Sequence, residues 1–94
     1  MTGGDKIDLF IAATIKDCRI HKGHLALYMA LFHFWKGKNY ISPIGLFASE
    51  VMKVAKISSN ATYHRLIKEL HDYGYIKYEP SFYKYSASKV FLSV

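Results

Sequence analysis

The hydrophobic pattern of the chain changes its period at Gly74. Before this residue, apolar side chains recur every three or four positions, which is typical of helices. After it, residues 75–79 and 88–94 alternate between apolar and polar, which predicts two strands joined by a loop. With 94 residues the chain is expected to form one domain. The sequence therefore predicts a mainly α fold with a small C-terminal β-hairpin.

Three to four helices are expected before the hairpin. Their spacing predicts helices at about 5–18, 24–36, 49–55 and 59–73, followed by a two-stranded hairpin at about 75–94, with residues 1–4 disordered. Lys36 and Gly37 predict a basic last turn and a left-handed stop for the second helix. Ser49 is the expected N-cap of the third helix, and Ser58 or Ser59 that of the fourth.

The second helix is apolar on nearly all sides between residues 25 and 35, interrupted only by His33. A helix with this pattern lies at the centre of a core or is covered by another subunit. Both interpretations stay open from sequence. The run is too short to span a bilayer, so a membrane segment is not expected.

The charge balance favours a polyanionic partner. Thirteen Lys and Arg residues stand against seven Asp and Glu, which gives a net charge of +6. Nucleic acid and membrane surfaces are the usual partners of small basic domains, but the aromatic helix at 24–36 lacks the basic face that surface binding to a membrane requires. The single cysteine, Cys18, forms no internal disulfide and suggests a reducing compartment. No signal-peptide pattern occupies the N-terminus, and the expected location is the cytoplasm.

The order of elements after residue 48 is helix, short turn, helix, hairpin. A short helix joined to a longer one by a tight turn is the helix-turn-helix arrangement, whose second helix enters the major groove of DNA. A hairpin directly after it corresponds to the wing of the winged-helix variant. The second helix must then present small or polar residues at its N-terminal end. The residues that meet this requirement are Ser59, Asn60, Ala61, Thr62, His64, Arg65 and Lys68.

The stretch 49–81 resembles small winged-helix regulators encoded on bacterial conjugative transposons and prophages. The most characteristic part is Leu70–Ile76, where a glycine ends one helix and an aromatic–aliphatic pair opens the hairpin; a weaker resemblance covers residues 24–35. The resemblance implies a winged helix-turn-helix domain that binds double-stranded DNA as a transcriptional regulator or an excision-type accessory factor. The hairpin tip departs from the pattern, because residues 82–88 lack the glycine and asparagine common there.

Within the fourth helix, Arg65 and Lys68 are the leading candidates for DNA contact, because both lie opposite the apolar stripe. The alternative is an ordinary solvated helix face. Ser59 either caps the helix or contacts DNA, and Thr62 is expected to pack while making a backbone or phosphate bond. Asn60 and His64 are placed to reach bases or phosphates, and an exposed surface histidine is the alternative for His64.

The hairpin carries lysines suited to phosphate contact. These are Lys77, Lys84 and Lys89, and Tyr83 is expected to pack against sugars. The alternative is that the lysines only keep an edge hairpin soluble.

Other classes of function find less support in the sequence. His21 and His24 lie three residues apart, but no further ligand pair accompanies them, so neither a metal nor another cofactor is expected. Motifs of phosphate loops or nucleophile elbows do not occur, and an enzyme is not expected.

The alternative function is a protein-interaction module that uses the 25–35 helix and the tyrosine-rich hairpin. It is favoured by the even spread of charge, since residues 1–47 and 48–94 each carry +3. A DNA-binding chain is expected to act as a homodimer or with a partner.

Overall fold

The computed structural model describes residues 3–81 and 87–92. This part of the chain is mainly helical and contains a small antiparallel sheet. Its elements are α1 Gly3–Ile15, α2 Lys22–Gly37, β1 Ile44–Leu46, α3 Ala48–Ala55, α4 Asn60–Asp72, β2 Lys77–Glu79 and β3 Ser88–Phe91. The helices in this part are all too short or too polar to cross a membrane.

The sheet has three strands in the order β1–β3–β2, so the last strand is the central one. Val90 of β3 is level with Ile44 of β1 on one side and with Tyr78 of β2 on the other. The hydroxyl of Ser42 donates to the carbonyl of Leu92 at 2.8 Å and accepts from its N–H at 3.1 Å, which extends the pairing beyond β1. The two-stranded hairpin predicted from sequence was therefore incomplete. β1 was missed because a strand of three residues, Ile44–Leu46, is too short to show the alternation of apolar and polar side chains. Its backbone hydrogen bonds also come from β3, which is distant in the sequence.

α2 lies at the centre of the core. Leu27, Tyr28, Leu31 and Trp35 are each at most 1% exposed, because α3 and α4 pack against this helix. Between residues 25 and 35 only Met29 and His33 are exposed. The interpretation of this segment as a core helix is confirmed, which accounts for its apolar pattern.

The apolar stripe of α4 completes the core. Tyr63, Leu66, Ile67 and Leu70 are buried, as the sequence predicted. The inner face of the sheet closes the other side with Ile44 and further apolar residues of β1 and β3, including Leu46 and Val90. Burial of the Tyr63 hydroxyl in this apolar layer raises its pKa above the usual value.

The predicted end of α1 was wrong by three residues. The helix begins at Gly3 and ends at Ile15, whereas the sequence predicted residues 5–18 and a disordered segment at 1–4. The cause is Asp17, whose carboxylate accepts a hydrogen bond from the backbone N–H of Arg19 at 3.0 Å. A side chain that bonds the backbone two residues later competes with helix and forms a turn.

α2 is longer than predicted at both ends. His21 is its N-cap, with the side chain accepting from Gly23 N–H, and this cap was missed. Gly37 was expected to adopt a left-handed conformation but belongs to the helix. Asn39 and Tyr40 have the positive φ values, 56° and 60°, and the N–H of Tyr40 donates to the carbonyl of Trp35 at 2.9 Å.

The predicted cap of α3 was also wrong. Phe47 occupies the N-cap position without a side-chain hydrogen bond, and Ser49 lies inside the helix. Glu50 is in the first turn as expected, where a negative charge stabilises the helix dipole. The connection from α3 to α4 runs from Lys56, which has a φ of 61°, to Ser59.

Candidate nucleic-acid interface

Local sequence fixes both ends of α4. The hydroxyl of Ser59 accepts the backbone N–H of Thr62 at 3.3 Å, so Ser59 is the N-cap. At the other end Gly74 has a φ of +88°, a conformation that costs a glycine little. The cap prediction for Ser59 is confirmed, whereas Ser58 lies outside the helix. The cap bond occupies one oxygen lone pair of Ser59.

The face of α4 opposite the core presents polar side chains to solvent. Asn60, His64, Arg65 and Lys68 are exposed, and Thr62 is half-buried, as predicted. The Nδ1 atom of His64 lies 2.8 Å from the carbonyl oxygen of Asn60. Since a carbonyl only accepts, Nδ1 carries the proton in this bond and the neutral ring keeps an acceptor at Nε2. The first turn of α4 contains no acidic residue.

Arg65 is held in place by Glu69. The Nη1 atom of Arg65 lies 3.2 Å from Oε1 of Glu69, one turn later, and the arginine side chain stays 54% exposed. The same oxygen accepts a hydrogen bond from Nε2 of the buried His24 at 2.9 Å. Glu69 therefore connects the core helix α2 to the exposed face of α4. The sequence alone placed Glu69 near Arg65 but gave no indication of His24.

His21, His24 and Glu69 form the one group of potential metal ligands among the described side chains, with ligand atoms within 4.8 Å of one another. Their hydrogen bonds do not favour a metal. The Nδ1 atoms of His21 and His24 accept the backbone N–H groups of Gly23 and His21, both at 3.1 Å. Each neutral ring then carries its proton on Nε2, which leaves no lone pair there for a cation. Partial burial, with His24 and Arg65 nearby, lowers the pKa of His21 and favours this neutral form.

A cavity of about 280 Å³ opens between the start of α2 and the turn before α4. Three cationic side chains line it, namely Lys22, Lys56 and Arg65, together with Ser59 and half-buried Thr62. Sequence reasoning missed Lys22 and Lys56. Lys22 is far from Arg65 in the chain, so only the packing of α2 against α4 brings the two together.

A groove of about 420 Å³ lies on the other side, between α4 and the end of β2. Tyr78 and Pro80 line it from the hairpin, and the helix contributes His64, Lys68, His71 and Asp72. The Nδ1 atom of His71 accepts the backbone N–H of Tyr78 at 3.0 Å, which attaches β2 to α4. The hairpin thus begins beside the exposed face of the helix.

The described part of the hairpin carries less free positive charge than its lysines suggest. Lys77 lies 3.6 Å from Glu79 and its Nζ is 5.3 Å from the ring centre of Phe91. Lys89 is exposed and directly opposite Glu79 in the register. Tyr83 and Lys84 fall outside the described residues.

Comparisons with protein-family models, curated proteins and solved structures found no match to this chain. The resemblance of residues 49–81 to winged-helix regulators therefore stays a prediction.

Proposed function

We propose that this protein is a winged-helix protein that binds double-stranded DNA, with α4 in the major groove and the β2–β3 hairpin on the phosphate backbone. The exposed face of α4 is the observation that carries the proposal. It presents Asn60, His64, Arg65 and Lys68 to solvent beside an N-terminal turn without acidic residues. Arg and Asn are the residues that bond guanine and adenine edges with two hydrogen bonds.

The topology supports the winged-helix interpretation. A strand, β1, precedes the two helices α3 and α4, and the hairpin follows them. The central position of β3 joins β1 to the hairpin in one sheet. The sheet and α2 thereby support α4 from behind and leave its polar face open. A rigid helix with one free face is what insertion into a groove requires.

The cavity and the groove on the two sides of α4 each contain side chains proposed to contact DNA. Lys22, Lys56 and Arg65 surround the cavity at the N-terminal end, and the groove toward the hairpin contains Lys68. DNA phosphates flank the major groove on both sides, so cations on both sides of the helix suit backbone contact. Lys22 and Lys56 join the contacts expected from sequence.

In this proposal Asn60, His64 and Arg65 read bases, while Lys68, Lys77, Lys84 and Lys89 attract phosphates. Arg65 has five N–H donors. Its hydrogen bond to Glu69 uses one N–H of Nη1. The remaining donors are free to contact a base edge. The resemblance described above adds the cellular role, that of a cytoplasmic transcriptional regulator or an excision-type accessory factor of a bacterial mobile element.

Fluorescence anisotropy with a mixed-sequence duplex at several salt concentrations tests this proposal. The parent protein is expected to bind with an affinity that falls steeply as salt rises. The double variant Arg65→Ala, Lys68→Ala is expected to bind at least about tenfold more weakly, with a log–log salt slope smaller by about 1, because Lys68 is the one of the two assigned to a phosphate.

The matched control is Lys36→Ala, Lys38→Ala, which removes two exposed cations at the far end of α2. That end lies roughly 20 Å from Lys22, given a rise of about 1.5 Å per residue. The control is expected to keep most of the parent affinity. A parent that fails to bind duplex even at low salt contradicts the proposal, as does a folded Arg65, Lys68 variant that binds like the parent.

A further inference from the structure

Among the described side chains of α1, from residue 7 onward, one aromatic ring makes the main attachment to the rest of the molecule. The ring of Phe10 stacks on Tyr28 with centroids 3.6 Å apart and meets the edge of Tyr75 at 5.3 Å. Phe10 is 4% exposed, and Ile7 and Thr14 beside it are half-buried. The remaining side chains from residue 8 to residue 16 face solvent.

The outer face of α1 carries more exposed apolar side chains than is usual for a helix face in contact with water. Leu9 is 54% exposed and Ile15 78%, and the two flank Ala12 on this face. Ile11, 39% exposed, lies about 160° around the helix from Leu9 and therefore at the edge of the face. Ala12 and Ala13 lie between Leu9 and Ile15 and are also exposed. Exposed aliphatic residues clustered on one helix of a small domain indicate a contact surface rather than a solvated face.

The charges on this face are complementary to those of a reversed copy of the same helix. Asp8 in α1 and Lys16, the first residue after the helix, are both exposed and lie four residues on either side of Ala12. In an antiparallel pair of α1 helices centred on Ala12, each Asp8 is level with Lys16 of the second copy. Leu9 is then level with Ile15, and the small side chain of Ala12 lets the helices approach at their midpoint.

We propose that α1 is the interface of a two-fold homodimer, in which the outer faces of two antiparallel α1 helices pack together. A two-fold interface uses the same surface on both subunits and must be complementary to itself. The Asp8, Ala12 and Lys16 arrangement meets this condition. The interface is small, and the dissociation constant is expected to lie in the micromolar range, roughly 1–50 µM. The inference does not depend on DNA binding.

Analytical ultracentrifugation of the 94-residue chain without DNA tests the inference between about 1 and 200 µM. The parent is expected to shift from monomer to dimer over this range. Asp8→Lys and Lys16→Asp each place like charges at both ends of the helix pair, and each is expected to raise the dissociation constant at least about tenfold. The combined variant Asp8→Lys, Lys16→Asp restores opposite charges and is expected to dimerise again.

Ile15→Glu is a second disruptive variant, and Lys36→Asp is the control for a charge reversal on another helix. All of these positions are exposed, so circular dichroism is expected to show a parent-like fold. A parent that stays monomeric at 200 µM contradicts the inference. So do single charge reversals that leave the dimer intact, or a combined variant that stays monomeric. None of these results bears on duplex binding, which is measured separately.

Discussion

The guanidinium of Arg65 lies 3.2 Å from the carboxylate of Glu69, one turn along the exposed face of α4. Glu69 is anchored in turn by the buried His24. The pair therefore places the proposed base-reading side chain in a defined orientation and also cancels part of its charge. Loss of the negative charge at Glu69 separates these two effects.

Glu69→Gln is expected to tighten duplex binding about two- to fivefold at low salt. The amide oxygen still accepts from His24, while the ion pair that competes with DNA for Arg65 is removed. Anisotropy at several salt concentrations measures the change. Glu50→Gln makes the same change of net charge on α3 and is expected to have a smaller effect. Equal effects of the two variants would mean that only net charge matters.

Ser59→Ala is expected to destabilise the protein by about 1 kcal/mol, because the N–H of Thr62 loses its acceptor at the start of α4. Urea denaturation followed by circular dichroism measures the change. Ser58→Ala is the neighbouring control, since Ser58 does not cap the helix, and it is expected to stay within about 0.5 kcal/mol of the parent. An equal loss in both variants would argue against the cap.

His24→Ala is expected to cost about 2–4 kcal/mol of unfolding free energy. The substitution leaves a void in the core, removes the acceptor of the His21 N–H at 3.1 Å and removes the donor to Glu69. His33→Ala, at an exposed position of the same helix, is the control. Denaturation midpoints that match between the two variants would contradict a structural role for His24.

Asp17→Asn is expected to destabilise the protein more at pH 6 than at pH 3. Hydrogen bonds from Arg19 chiefly, and from the Tyr75 hydroxyl at 2.8 Å, hold the pKa of Asp17 well below its usual value. The unfolded chain therefore takes up a proton first, near pH 4, and the contribution of Asp17 to stability falls as pH decreases below that point.

Urea midpoints of the parent and the variant at pH 6, 4 and 3 measure this difference. Asp72→Asn removes an exposed carboxylate from the end of α4 and is the control. Its difference from the parent is expected to change less with pH. A difference in urea midpoint between the parent and Asp17→Asn that is the same at all three pH values would contradict a contribution of Asp17 that depends on its protonation.

Much of the helical fold could be predicted because the spacing of apolar residues along the chain depends only on local sequence. The stripe of Tyr63, Leu66, Ile67 and Leu70 repeats at helical spacing, and these residues are buried. Ser59 begins α4 through its side-chain hydroxyl and Gly74 follows its end with a positive φ, both properties of the residue type. The same residue types at Ser49 and Gly37 lie inside helices, so these signals do not act alone. The apolar segment 25–35 left two interpretations open, and only the packing of α3 and α4 decided between them.

The features that sequence reasoning missed depend on contacts between distant residues. β1 exists because β3 pairs with it, and the two lie more than 40 residues apart. Lys22 comes close to Arg65, and His24 to Glu69, because α2 packs against α4. His21 caps α2 through a ring nitrogen, which is outside the usual preference for hydroxyl and carboxamide caps.

The central place of β3 in the sheet imposes an order on folding during synthesis. The helices and both outer strands precede Ser88–Phe91 in the chain, so they leave the ribosome first. Until β3 follows, β1 and β2 have no partner strand, and Ser42 lacks the backbone of Leu92. The nascent chain is therefore expected to remain sensitive to proteases until β3 emerges, and then to close its core in one late step.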